Sequence, residues 1–241
     1  GWTPPEQSGE EAGRNVEYTA SMMLRTPQFY MLWAVFVFSA LAGLMVIYCI
    51  KLFGLDTLEY TGVANAGVIT GTAMAWYAIF NGLGRIVWGV ISDRLGAKRS
   101  IIIMTATQGV VVLAFQVMAG TPALLYLGAA FIGFNFGGNF ALFPALTADE
   151  FGNGAVGTNY PLVFLSYGVG GILFPILGGM LGDMGNFPLA FTICGSACIV
   201  GALATAIVFP PHRDEAHQPF SVHGFLHHAH VFDHEKEDDL F

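Results

Sequence analysis

The sequence predicts an all-α polytopic membrane protein with six transmembrane helices. Three observations carry that prediction. Of 241 residues, 54% are apolar and only 11% charged, with a positive mean hydropathy, whereas soluble domains carry about 25% charge. Thirty-one Gly and 21 Phe in so apolar a chain fit closely packed helices in lipid. The apolar residues also fall into six runs long enough to cross a bilayer, joined by short connections. An ordinary soluble domain and a wholly disordered chain, which needs low hydrophobicity and high net charge, are both excluded.

Residues 1–27 are polar, with Pro4, Pro5, Glu6, Glu10 and Glu11. They lack the basic n-region and small-residue cleavage site of a signal peptide, and are expected to form a cytoplasmic linker, the chain being a piece of something longer. The first span runs from Phe29 to Ile50, uncharged throughout and roughly 33 Å long as a helix. The others are expected near Ala64–Ile91, Ile101–Ala119, Ala123–Ala145, Pro161–Leu181 and Phe187–Phe209, giving a transmembrane domain over 28–209. Residues 210–241 form a His-rich, acidic tail, expected to be cytoplasmic and disordered. The formal charge of −8 belongs mainly to the two polar ends, so it does not repel an anion from the middle.

Orientation follows from the cations. With both ends in the cytoplasm, the inner side holds Arg14, Arg25, Arg94, Lys98, Arg99, Arg213 and Lys236, and the outer side only Lys51. Cys49, Cys194 and Cys198 lie inside apolar runs, odd in number and without paired spacing, so neither a disulfide framework nor a zinc cluster is indicated.

Arg85 is the ninth cation, and it sits inside a span. A cation at mid-membrane costs at least about 2.5–3.5 kcal/mol, which makes a function facing a cavity its default reading. Tyr77, Asn81 and Arg85 recur every four residues and share one helix face, with Trp88 close by. A guanidinium pairs with a carboxylate through two parallel hydrogen bonds, and Asn81 can add another. The competing reading is that Arg85 snorkels to the surface, since Ile91 is only about 9 Å further along the helix.

The segment Gly89-Val90-Ile91-Ser92-Asp93-Arg94-Leu95-Gly96-Ala97-Lys98-Arg99 matches the loop signature G-x-x-x-D-R-x-G-x-K/R of the major facilitator superfamily, with Ala97 where a basic residue is usual. Gly89 is expected to permit close helix contact and Gly96 to make the tight turn. Asp93 is expected to meet a helix N-terminus or an arginine and so lock one conformational state. Arg94, Lys98 and Arg99 would hold the loop inside. Further stretches resemble the oxalate/formate antiporter family and related bacterial monocarboxylate transporters: Met23-Leu24-Arg25-Thr26-Pro27-Gln28-Phe29, Asn81-Gly82-Leu83-Gly84-Arg85, Gly137-Gly138-Asn139-Phe140-Ala141-Leu142-Phe143-Pro144 and Asn159-Tyr160. The resemblance covers most of the chain from Met23 to Phe209. It implies that the six spans are helices seven to twelve of a twelve-helix carrier whose first half is absent.

The same resemblance places the family's anion-binding arginine on Arg85, its aromatic pair on Phe136 and Phe140, and a further aromatic on Phe164. Oxalate carriers have a lysine where Tyr167 stands here. A dicarboxylate shielded from water wants two cationic partners, because an uncompensated buried charge is expensive; Arg85 alone in this half favours a monocarboxylate. Without the resemblance, the three Phe read as helix packing. Asn135 and Asn139 are costly in lipid unless paired, and read first as interhelical hydrogen bonds and second as substrate contacts. The pairs Gly67/Gly71, Gly133/Gly137 and Gly178/Gly182 would let backbones approach, and Pro175 would bend the fifth span.

All seven His lie in the tail. His223, His227, His230 and His234 would share a face if helical and are weak metal candidates, though the Gly, Pro and acids around them favour disorder. The expected function is secondary transport of small organic anions by alternating access, with a monocarboxylate such as formate or lactate, or oxalate/formate exchange, as cargo. The alternative is a non-transporting sensor or scaffold using the tail. An enzyme is not expected, since the spans offer no cluster of catalytic groups. The expected partners are a small carboxylate anion, the lipid bilayer and a six-helix N-terminal half; no cofactor and no nucleic acid are implied.

Overall fold

In the computed structural model, residues 17–207 are described. After a short helix α1 (Ala20–Met23) come six long ones: α2 (Pro27–Tyr60), α3 (Ala66–Leu95), α4 (Ala97–Met118), α5 (Pro122–Phe151), α6 (Val156–Asp183) and α7 (Phe187–Ala206). All six are long and apolar enough to cross a membrane, at the six expected places.

Helix boundaries differ most at the ends. α2 continues ten residues beyond Ile50, through Lys51, Asp56 and Glu59, to Tyr60. α5 passes through Pro144 to Phe151 and carries Asp149 and Glu150 in its last turn. Hydropathy marks where lipid begins and ends, but a helix need not stop there. At 34 residues, α2 is about 51 Å long against a hydrocarbon core of about 30 Å.

Local signals set the starts and stops. Thr26 caps α2, its Oγ1 accepting from the Phe29 amide at 3.4 Å, with Pro27 in the first turn, where its missing N–H is no loss. At the other end of α2, Gly62 takes φ +72°, and its amide and that of Val63 bond back to Glu59 and Leu58 at 3.0 and 2.9 Å. This is a Schellman stop. The same arrangement ends α6, where Gly185 and Asn186 bond back to Gly182 and Leu181 at 2.8 Å each.

α3 packs most extensively on α5, α4 on α7 and α2 on α6, while α2 also touches α3, α4, α5 and α7. The α3–α5 seam is the tightest. A Cβ at Gly133 would run into the carbonyl of Tyr77, one at Gly137 into that of Asn81, and one at Gly84 into that of Phe134. Backbone therefore lies on backbone, as the Gly133/Gly137 pair predicts. The other two pairs behave differently. Gly67 and Gly71 face open space, Gly178 meets the Phe174 ring of its own helix, and Gly182 meets the Phe187 ring. Gly89 likewise has open space where a Cβ would stand and makes no close helix contact among the described residues.

The amide side chains knit the bundle. Asn135 accepts from Trp88 Nε1 at 3.2 Å and donates to the Met104 carbonyl at 3.3 Å and to Thr107 Oγ1 at 3.1 Å, joining α3, α4 and α5. Ser39 donates to Asn139 Oδ1 at 2.7 Å, and Gln108 Nε2 donates to the Ser39 carbonyl at 3.1 Å. Both asparagines are fully buried and make interhelical bonds, the first of the two roles considered for them. Cys49, Cys194 and Cys198 are buried free thiols.

Residues 17 and 18 are tied down. The Glu17 carboxylate accepts from the Gly154 and Ala155 amides at 3.0 and 3.1 Å, at the start of α6, where a negative charge complements the helix dipole. Tyr18 is buried, its amide donating to the Phe151 carbonyl at 2.9 Å and its own carbonyl accepting from Asn159 Nδ2 at 2.8 Å. The end of the expected linker is thus a strap across the α5–α6 turn.

Candidate functional site

α3 presents Met74, Tyr77, Ala78, Asn81 and Arg85 on one face, each a turn or less from the next. The glycines of α5 set the depth of that face, because Gly133 and Gly137 receive the backbones of Tyr77 and Asn81. Arg85 is exposed, yet its guanidinium is turned back along α3: Nη2 donates to Asn81 Oδ1 at 3.3 Å. Its Cζ also stands 4.3 Å from the centroid of the Phe140 ring on α5, a cation–π contact. Asn81 lies toward the middle of α3, so the side chain points away from the Gly96 turn rather than snorkelling to it.

Around Phe140 the aromatic residues form one continuous wall. Phe136 meets Phe140 edge-on at 5.7 Å and Tyr77 at 6.2 Å. Tyr167 lies 5.6 Å from Phe140, 6.3 Å from Phe136 and stacks on Phe164 at 5.3 Å. Phe164 lies 6.3 Å from Phe140. Tyr77 is buried, and its hydroxyl donates to the Gly43 carbonyl at 3.2 Å, so it fixes α3 to α2 with its ring turned to the wall. Gly43 is there for a second reason: a Cβ at that position would collide with the Phe136 ring.

Three aromatic residues were not foreseen at the wall. Phe36 of α2 approaches Phe164 and Tyr167 at 6.1 and 6.4 Å and stacks on Phe143 at 4.0 Å, and Tyr160 meets Phe164 at 5.7 Å. Tyr160 is legible in retrospect as a residue one turn before Phe164. Phe36 comes from a distant helix and has no such signal. Trp88, expected beside Arg85, is buried and belongs to the Asn135 network.

Between α2 and α3, reaching Asn81 one turn from Arg85, opens a cleft of about 310 Å³ lined by Ile47, Ile50, Met74, Tyr77, Ala78 and Asn81. The middle of the bundle therefore offers a cation, an amide, an aromatic wall and a hollow within one turn or two of each other.

At the α3–α4 turn, Gly96 takes φ +83° and alone separates the two helices. That left-handed conformation is one glycine adopts without strain, as the loop signature requires. Ser100 donates to the Gly96 carbonyl at 2.8 Å. Asp93, Arg94 and Arg99 are exposed, and Asp93 makes no ion pair with an arginine among the described residues. Lys98 instead acts electrostatically on the buried Glu150 of α5. Among the described residues no group of His, Cys, Asp and Glu could hold a metal ion. His223, His227, His230 and His234, with the rest of the tail, lie outside the described residues.

Residues 65–227 match the sequence model of the Major Facilitator Superfamily. The chain belongs to this superfamily. Its six helices correspond to one half of such a transporter. The chain is 29% identical to the oxalate:formate antiporter of Oxalobacter formigenes over 80% of this chain and 45% of that protein. It is 30% identical to an uncharacterised MFS-type transporter, YhjX, of Escherichia coli (strain K12), over 70% of this chain and 41% of that one. A gallate transporter of Pseudomonas putida is 32% identical over 67% of this chain and 36% of its own length. The chain thus spans less than half the length of these relatives. Each relative's name describes a transporter and none an enzyme, and the helices make this a multi-pass membrane protein.

Proposed function

We propose that this chain is the anion-binding half of a secondary carrier for small organic anions, working by alternating access with a partner half of six helices. Arg85 receives the carboxylate, Asn81 orients the guanidinium and supplies a further amide donor, and Phe136, Phe140, Phe164 and Tyr167 wall the site against water. The observation that carries this reading is the pose of Arg85, held by Asn81 and the Phe140 face beside a hollow. Asn81 takes only part of the guanidinium's fork of five N–H donors, and that fork fits a carboxylate. The names of the oxalate:formate and gallate relatives support organic anions as cargo.

A monocarboxylate suits the site best. Among the described residues Arg25, Arg94, Lys98 and Arg99 stand at or near helix ends and Lys51 is exposed nine residues before the end of α2, while Tyr167 brings a neutral hydroxyl where a second charge would be needed for a dicarboxylate. The Gly96 turn with Asp93, Arg94, Lys98 and Arg99 would face the cytoplasm, as would both ends of the chain, in a cell membrane. The Glu17 strap and the tight α3–α5 seam make this half a stiff body that can rock against its partner. The test is uptake into liposomes by the full-length carrier containing this chain. Arg85→Ala should lower monocarboxylate uptake about 100-fold or more, the cost of losing a charge-assisted pair that the closed full-length carrier would shield from water; unchanged uptake would overturn the site.

A further inference from the structure

We infer that the cleft between α2 and α3 is the subsite for the apolar body of the same acid whose carboxylate docks on Arg85, so that the cargo is a carboxylate with a ring or branched chain rather than a one-carbon acid. This rests on the Arg85 reading and adds to it the shape of the substrate.

The first ground is position. Met74, Ala78, Tyr77 and Asn81 line the cleft and lie on the Arg85 face of α3, with Asn81 about 6 Å and Met74 about 16 Å of helix rise from Arg85. The cleft therefore begins one turn from Arg85, at the asparagine that holds its guanidinium, and runs away from it along the helix. Its chemistry changes along the way. At the Arg85 end stands Asn81, with its Oδ1 engaged by the guanidinium and its Nδ2 able to donate. Beyond it, the Tyr77 hydroxyl is already engaged by the Gly43 carbonyl. The remaining lining residues, Ile47, Ile50, Met74 and Ala78, are apolar. A polar head and an apolar body thus each meet their own kind, and a body that cannot use the far end leaves apolar surface in contact with water.

Size gives the second ground. About 310 Å³ is at the lower end of small-ligand pockets and about ten times the share of one water in the liquid. Formate on Arg85 would leave it empty; a cavity of about half this volume already holds benzene, so a six-membered ring fits within it. The third ground is rigidity. The α3 wall is seated by Gly133 and Gly137, and the Tyr77 hydroxyl ties it to α2, so the hollow is held open rather than made by the ligand, which lowers the cost of binding.

The experiment uses the full-length carrier in liposomes, with benzoate and formate as probes. Wild type should take up benzoate in preference to formate. Ala78→Phe, which fills the cleft, should lower the benzoate-to-formate uptake ratio at least tenfold, and Met74→Ala, which enlarges it, should raise that ratio for a bulkier acid such as naphthoate over benzoate. A wild-type preference for formate, or an Ala78→Phe loss equal for both acids, as a lipid chain in the cleft would cause, overturns the subsite. Arg85→Ala separates the two layers: loss of both acids with no Ala78→Phe selectivity removes the subsite and leaves the anion site, whereas retention of both removes the anion site itself.

Discussion

Asn81 and Asn135 are the same residue type on helices that touch, yet they do opposite work. Asn135 is fully buried, and both ends of its amide are engaged by Trp88, Met104 and Thr107 of the neighbouring helices. Asn81 borders the cleft and touches a single charged partner, Arg85, on its own helix. The first holds the bundle together; the second leaves hydrogen-bonding capacity beside a cation and a hollow. Within a membrane span, the question that separates structure from function is therefore whether a polar group's donors and acceptors are used up inside the fold, not whether the group is polar.

Substitutions at the two kinds of position should separate these roles. The largest loss of folding is expected at Gly137→Val, where the new side chain meets the backbone carbonyl of Asn81 and no rotamer relieves the overlap. A cost of about 3 kcal/mol, or failure to insert, is expected, read as the midpoint of thermal unfolding in detergent; Gly67→Ala, facing open space, serves as the control and should leave it unchanged. Asn135→Leu comes next. It strands the Trp88 N–H and should cost about 1 kcal/mol, lowering Tm while leaving acid affinity nearly intact, since the cleft does not include it. Glu17→Ala should be the smallest, a loss of about 2–4 °C in Tm, because two amides at the start of α6 lose their acceptor but remain close to water.

Much of this architecture was legible in advance for a physical reason: lipid imposes apolar runs of fixed length, and helical spacing brings residues four apart together. That is why the six spans, the Asn81–Arg85 pair, the Phe136–Phe140 pair and the turn at Gly96 stand where the sequence puts them. Helix ends were less legible, since α2 and α5 continue past the apolar stretch to Tyr60 and Phe151. Glycine spacing named three seams, but only Gly133/Gly137 lies opposite a partner backbone; which glycines face a neighbour is decided by helix rotation, which a pair spacing does not encode. Phe36 at the wall and Glu17 at α6 are contacts between distant parts of the chain, and no local pattern announces them.

The proposed docking point for a carboxylate is the exposed, incompletely paired guanidinium of Arg85. Equilibrium binding of benzoate to the purified full-length carrier tests it most directly, comparing wild type, Arg85→Lys and Arg85→Ala. The predicted result is affinity about tenfold weaker with lysine, which keeps the charge and loses the planar fork, and about 100-fold weaker with alanine. Alanine and wild-type proteins that bind benzoate equally well would contradict the account.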